Sequence, residues 1–301
     1  MLNYLIINFF WGVRFVVENF DSLMNIFNTL PSDMLNTIRL QNTSAGVLCK
    51  WVVNNNDDCY YFKSGSKNGL GYFTDRQPYA EVMSYRIGLC LGFPNLVPTS
   101  FKIIHFDESE KYNEQDAVIS FTKSFLCKDE VYVPIHKYFS KSSLNNNFSR
   151  LYELFTESFE FIKQDLDIMI LFDFIIMNVD RHLNNFGIIE LNNKPVRMSP
   201  LFDNGLSLLS YLSDEELTQA SEFYLNSRIK VKPFKSDVHK QIKLVDVNNM
   251  PYDLKSRILN ESIDWEFVFD GLDLSEIRQA KIKCLVEKRL DYVKDLLSKT
   301  M

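Results

Sequence analysis

The segment from Asp165 to Met177 is apolar on every side, and it runs directly into Asn178-Val179-Asp180-Arg181-His182-Leu183-Asn184-Asn185-Phe186-Gly187, a dense polar stretch. A membrane-spanning helix takes about 20 apolar residues, so this one is too short for a bilayer and belongs inside a folded core. The polar residues that follow must then form a loop held at an internal boundary. Farther along, Ser199-Pro200-Leu201-Phe202-Asp203-Asn204-Gly205 places another carboxylate at the end of a short apolar run.

Upstream of these motifs the pattern is strand-like. Val47–Val53, Cys59–Lys63, Phe101–His105 and Ala117–Phe121 are short β-rich runs between polar stretches. Tyr79–Leu91 reads as a helix stopping at Gly92 with Pro94 beyond, and 106–116 as an exposed acidic hairpin loop. The glycines at 65, 69 and 71 read as a flexible connection into that helix. After Lys137 the period changes: Phe148–Lys163 and Asp165–Met177 read as helices. Asp273-Leu274-Ser275-Glu276 has capping-box form ahead of a stripe of Ile282, Leu285, Val286, Leu290, Val293 and Leu297. The fold class expected is α+β with two lobes: an apolar extension over 1–24, a β-rich N-terminal lobe over 25–123 and a helical C-terminal lobe over 124–301.

Composition narrows the function classes. A net charge of −6 gives no electrostatic footprint for direct nucleic-acid binding. The 25 Phe residues read as core filling. Cys49, Cys59, Cys90, Cys127 and Cys284 are scattered without C-x-x-C pairing, which points to reduced, buried thiols in a cytoplasmic protein, and no Cys or His spacing suits zinc. The apolar run from Leu2 to Val17 is interrupted by Asn8 and Arg14 and lacks the layout of a signal peptide. A packed extra element is the expectation there, with membrane-surface anchoring or a start at Met24 or Met34 as alternatives.

Phosphoryl transfer asks for a carboxylate to orient the attacking hydroxyl and oxygen ligands to hold magnesium against the phosphates. In protein kinases the base Asp stands five positions before a metal-binding Asn, and a metal-binding Asp-x-Gly follows. Asp180, Asn185 and Asp203 reproduce that spacing and order. Lys63 ends an apolar strand, where it can reach phosphate, and Glu81 lies on the next helix, where it can pair with that lysine.

Asn-x-Asp-Arg-His-x-x-Asn-x-Gly followed by Phe-Asp-x-Gly resembles the HipA-like kinases, with the CtkA-type branch the nearer match in length. The resemblance covers about residues 43–235. It implies a two-lobed, protein-kinase-like fold related to phosphoinositide kinases, and a serine/threonine protein kinase using ATP and Mg²⁺. It further implies Asp180 as catalytic base, Asn185 and Asp203 as metal ligands and Lys63 on phosphate. The backbone of Ile119-Ser120-Phe121-Thr122-Lys123 would form the hinge beside adenine. The implied partners are a protein substrate with a Ser/Thr hydroxyl and a small antitoxin-like protein, with the cytoplasm as the setting and secretion as an effector the alternative. The phosphate-covering loop, Thr43 to Lys50, holds one glycine, Gly46, where the family's pattern is richer, and Ser44 is its candidate autophosphorylation site.

Other readings stand beside these. Asp180 and Asn185 could cap helices or order a turn. Arg181 could brace the loop, and His182 could be a loop histidine or a nucleotide neighbour. Arg228, Lys230 and Lys232 read as a solvated basic face, with substrate recognition second. Ser207, Ser210, Ser213, Thr218 and Ser221 fall where an activation segment would lie. The alternative functions are a kinase of a lipid or small molecule, and a non-catalytic nucleotide-binding or toxin component.

Overall fold

Four antiparallel strands build the first part of the fold. The computed structural model describes residues 48, 50–55, 58–106, 108, 113–144, 148–219, 229–234 and 236–299. In it β1 (Lys50–Asn55), β2 (Asp58–Ser64), β3 (Thr99–Phe106) and β4 (Gln115–Lys123) lie in the order β1-β2-β4-β3. Period-2 alternation is visible along β2. Tyr60 and Phe62 are buried, with Phe62 stacked on Phe121 of β4 at 5.7 Å, while Tyr61 between them is exposed.

Helix α1 (Arg76–Leu91) crosses between β2 and β3 and begins three residues earlier than the apolar pattern predicts. It stops where expected. Gly92 takes the left-handed conformation at φ 71°, the Phe93 N–H donates to Gly88 O and the Gly92 N–H to Leu89 O, the two bonds of a Schellman closure. The glycine-rich segment ahead of α1 is not a loose linker. Asn68 N donates to Tyr72 O and Thr74 N to Ser66 O, and a Cβ on Gly65 would fall 1.7 Å from Thr74 O, so this glycine serves close backbone approach.

The second part is helical around α3 (Lys163–Ile176), in which every residue from Leu166 to Ile176 is buried. Against it packs α7 (Glu276–Ser298), with Ile282, Leu285, Val286, Leu290, Val293 and Leu297 all buried as the stripe predicts. Helix α2 (Phe148–Ser158) precedes α3; α4 (Asp214–Gln219), α5 (Tyr252–Asn260) and α6 (Trp265–Phe269) lie between α3 and α7. The long helix expected over 148–163 is broken at Phe159, whose φ of −140° leaves the helical region and whose ring packs on Tyr138, Phe139 and Phe161. The α7 cap is Ser275, whose Oγ accepts from Arg278 N at 3.3 Å; the capping-box reading from Asp273 is displaced by two residues.

A three-stranded sheet inside this helical part escaped the pattern reading: β5 (Glu130–Pro134), β6 (Gly187–Leu191) and β7 (Lys194–Met198), in that order. A two-stranded ladder, β8 (Lys230–Val231) with β9 (Ser236–Asp237), stands apart from it. None of the described cysteines is buried: Cys59, Cys90 and Cys284 are half-buried and Cys127 is exposed, which corrects the expectation of buried thiols. Among the described residues no helix is long and apolar enough to cross a membrane. Residues 1–24 lie outside the described residues.

Candidate active site

The site begins where α3 ends. Met177 adopts a left-handed φ of 53°, and the Asn178 N–H donates to Asp173 O at 2.9 Å, turning the chain sharply out of the helix. Asn178 then links two carboxylates. Its Nδ2 donates to Asp173 Oδ1 at 3.2 Å, and its Oδ1 accepts from the Asp180 N–H at 3.0 Å. The backbone of Asp180 is therefore fixed by a side chain anchored on the buried helix.

Arg181 is fully buried and joins three segments. Its Nε and Nη2 form a two-point contact with Asp173 at 2.9 and 2.8 Å. Its Nη1 donates to Asn185 O at 3.3 Å and to Phe202 O, and its Nη2 reaches Asn204 Oδ1 at 2.5 Å. One guanidinium thus ties the end of α3, the polar loop and the Asp203 segment together, using the planar fork that a lysine lacks. Asn185 closes the loop by donating from Nδ2 to Asp180 O at 3.4 Å, which orients its amide oxygen away from that carbonyl. Gly187 is required by its surroundings, since a Cβ there would lie 2.2 Å from Val133 O across the β5–β6 pairing.

From the N-terminal sheet, the Lys63 ammonium donates to Glu81 Oε1 at 3.0 Å and to Asp203 Oδ1 at 2.8 Å. The pairing of Lys63 with Glu81, separated by 18 positions, is as the sequence predicts. Glu81 also accepts from the Asn204 N–H at 2.8 Å, and a Cβ on Gly205 would sit 3.3 Å from the same carboxylate. Lys50 approaches Asp203 Oδ2 at 3.9 Å. Burial alone would raise Asp203, but the Lys63 and Lys50 ammoniums reverse that and hold it well below the usual carboxylate range. Burial likewise disfavours the charged Lys63, and Asp203 and Glu81 outweigh it, raising the ammonium above its ordinary value. Asp203 itself stands at φ 59°, a strained conformation for a residue with a Cβ. Ser207 and Ser210 are buried, donating to Asn204 O and Gly205 O, and so fix the turn after Asp203.

Lys232 is the residue that sequence reasoning left on a solvated face. Its Nζ lies 2.5 Å from Asp180 Oδ1, and Asp180 and Lys232 form a parallel backbone bridge. His182 Nε2 stands 4.0 Å from Asp180 Oδ2. Burial lowers the His182 pKa against the pull of Asp180, with Lys232 and Lys50 adding to the lowering. Phe121 and Thr122 do not offer a free hinge backbone. Both pair with β2 on one side and β3 on the other, whereas Lys123 is the last β4 residue paired with β2 and lies beyond the β3 ladder. Within the segment expected beside adenine, Lys123 alone lies clear of the β3 ladder, and the chain runs on from it to Phe125. There Phe125, Tyr132 and Phe202 cluster with ring centroids 5.3 to 6.0 Å apart, and Tyr132 OH donates to Asn184 O at 2.8 Å. Ser44, Gly46, Arg228 and Ser221 lie outside the described residues.

A β-sheet whose Lys63 pairs with Glu81 of α1, set against a helical part with an Asp/Asn loop and an Asp-x-Gly turn, matches the protein-kinase-like fold. The chain is similar in structure to the proinflammatory kinase CtkA of Helicobacter pylori, with a TM-score of 0.60 over 87% of this chain and 95% of that one at 17% identity. It is also similar to the Golgi casein kinase, with a TM-score of 0.51 over 85% of this chain and 72% of that one at 12% identity. At these identities the likeness is one of fold. No protein-family model matches the chain, and no curated protein matches it.

Proposed function

We propose that the chain transfers the terminal phosphoryl group of MgATP to a serine or threonine hydroxyl of a protein. The observation that carries this reading is the convergence of Lys63, Glu81, Asp203, Arg181, Asn185 and Asp180, drawn from β2, α1 and two loops, into one connected polar cluster. In this reading Asp180 accepts the proton of the attacking hydroxyl as that oxygen bonds to phosphorus and the bond from phosphorus to the departing ADP breaks. Lys63, positioned by Glu81, contacts the phosphates. The adenine lies against the chain from Lys123 onward, beside Phe125 and Phe202.

Asp203 and Asn185 suit magnesium by the chemistry of their oxygens. Among the described residues no three His, Cys, Asp or Glu side chains converge into an all-protein cage. Magnesium bound with nucleotide is held by one or two protein oxygens, phosphates and water, and it would supply charge neutralisation across the phosphates. Asp203 offers a carboxylate kept ionised by its neighbours, and Asn185 an amide oxygen oriented by its bond to Asp180 O.

The test is transfer of radioactive phosphate from ATP to casein and to the protein itself, followed by intact-mass measurement. The parent gains label on Ser or Thr, and Asp180→Ala loses about 10²- to 10⁴-fold in rate while keeping its thermal midpoint. Equal labelling by the two proteins would remove Asp180 as the base. Label on a lipid or small metabolite in place of protein would move the substrate class.

A further inference from the structure

We infer that Lys232 is a catalytic residue, its ammonium bridging Asp180 and the phosphoryl group in transfer. This rests on the phosphotransferase reading above and adds a residue that lies outside both acidic motifs. The first observation is the anchorage of its backbone. The Lys232 N–H donates to Val179 O at 3.3 Å, locking the residue alongside Asp180 in the parallel bridge. On one side Val231 is buried, and its carbonyl accepts from the buried Gln241 Nε2 at 2.8 Å. The same amide reaches Ser236 O at 3.3 Å. On the other side Phe234 is buried against Tyr152 and Phe155, with centroids 6.5 and 6.4 Å away.

A core thus holds the main chain at Lys232 while its side chain, 50% exposed, extends to a carboxylate that is 27% exposed. Exposed ion pairs contribute little to stability and cost a long side chain its rotamer freedom, so stability does not account for this arrangement. Function does. A base carboxylate must stand close to a phosphoryl group of the same sign, and a cation between them removes the repulsion and stabilises charge on the transferring oxygens. An ammonium carries three donors, of which Asp180 Oδ1 takes one. His182 stands 4.0 Å from the carboxylate and Lys232 2.5 Å, so the cation in contact with Asp180 is Lys232. The hydroxyl proton passes to Asp180; Lys232 keeps its own throughout.

The experiment compares the parent with Lys232→Met, Lys232→Arg and, as a control on the exposed neighbour, Lys230→Met. It measures kcat, KM for ATP, MgATP affinity and the thermal midpoint. Loss of one preorganised donor predicts a fall in kcat of about 10²–10³ for Lys232→Met, with MgATP affinity changed by less than about threefold. Lys232→Arg should recover about tenfold of the loss, and Lys230→Met should match the parent within about threefold. Unchanged kcat in Lys232→Met, a loss confined to KM, or a fall in thermal midpoint that Arg does not correct would each overturn the assignment while leaving the phosphotransferase reading in place. A parent that binds no MgATP and labels no acceptor would sink that reading, and the role of Lys232 with it.

Discussion

Arg181 shows how a single side chain can settle what a local pattern leaves open. With its guanidinium shared among Asp173, Asn185, Phe202 and Asn204, it is a brace, and the loop it braces is more than a capped turn. A different buried carboxyl contributes to the pH response. Asp167 lies on α3, fully buried, with Tyr152 OH donating to Oδ1 at 2.6 Å and no hydrogen-bond partner on Oδ2. Burial raises its pKa to about 6, with Tyr152, the Asp246 backbone and Lys163 pulling down and Asp246 pushing up. The folded state therefore holds a proton that the unfolded state has released. That contribution to stability is full below the unfolded carboxyl range, near pH ~4, and is lost as pH rises through about 6. Asp167→Asn stays neutral, so it should exceed the parent in stability by about 1–3 kcal/mol at pH 8 and match it at pH 4, as read by urea unfolding at both pH values. Equal stabilities at pH 8 would contradict the account. Lys63 and Glu81 were legible in the sequence because residue type and chain order suffice to pair a strand lysine with the next helix's glutamate. Lys232 was not, because its contact depends on a bridge between segments 52 positions apart.

Among the elements, those whose pattern is self-contained were legible and those completed by distant partners were not. The sheet strands, α1 with its Gly92 stop, and the α7 stripe were read within a few residues because alternation, a glycine cap and helical spacing are local signals. Strand β6 follows the polar loop directly and gains its meaning only from β5, more than fifty residues upstream. One clue was present: Leu191-Asn192-Asn193-Lys194, where both asparagines take positive φ, 53° and 59°, as a tight hairpin between β6 and β7 demands. The pairing of β5 with β6 also explains the last glycine of the polar motif. Gly187→Ala should destabilise the protein by about 1–3 kcal/mol through collision with Val133 O, lowering the urea midpoint. A midpoint equal to the parent's would show that the β5–β6 pairing tolerates a side chain at this position.

Across the molecule, the site exists only because the sheet and the helical part meet. Lys63 reaches Asp203 from β2, Glu81 reaches Asn204 from α1, and Ser84 lies with its Oγ 2.8 Å from Ser207 Oγ. These links bring cations and carboxylates together, with Lys63 at Oδ1 of Asp203, Lys50 at Oδ2 and the Arg181 charge adding to their effect. Such an arrangement holds Asp203 ionised, as the proposed magnesium site requires. The alternation of strand and helix and the spacing of the acidic motifs made this fold class readable. That Phe121 and Thr122 are flanked by strands on both sides was not readable, because it follows only from the sheet order. The central claim, a metal-assisted nucleotide site at Asp203, is tested most directly by calorimetric titration of ATP with and without magnesium into the parent and Asp203→Ala. The account predicts that magnesium tightens ATP binding to the parent by about tenfold or more and leaves the variant nearly unaffected. ATP affinity in the parent that is indifferent to magnesium, or equal magnesium dependence in both proteins, would contradict it.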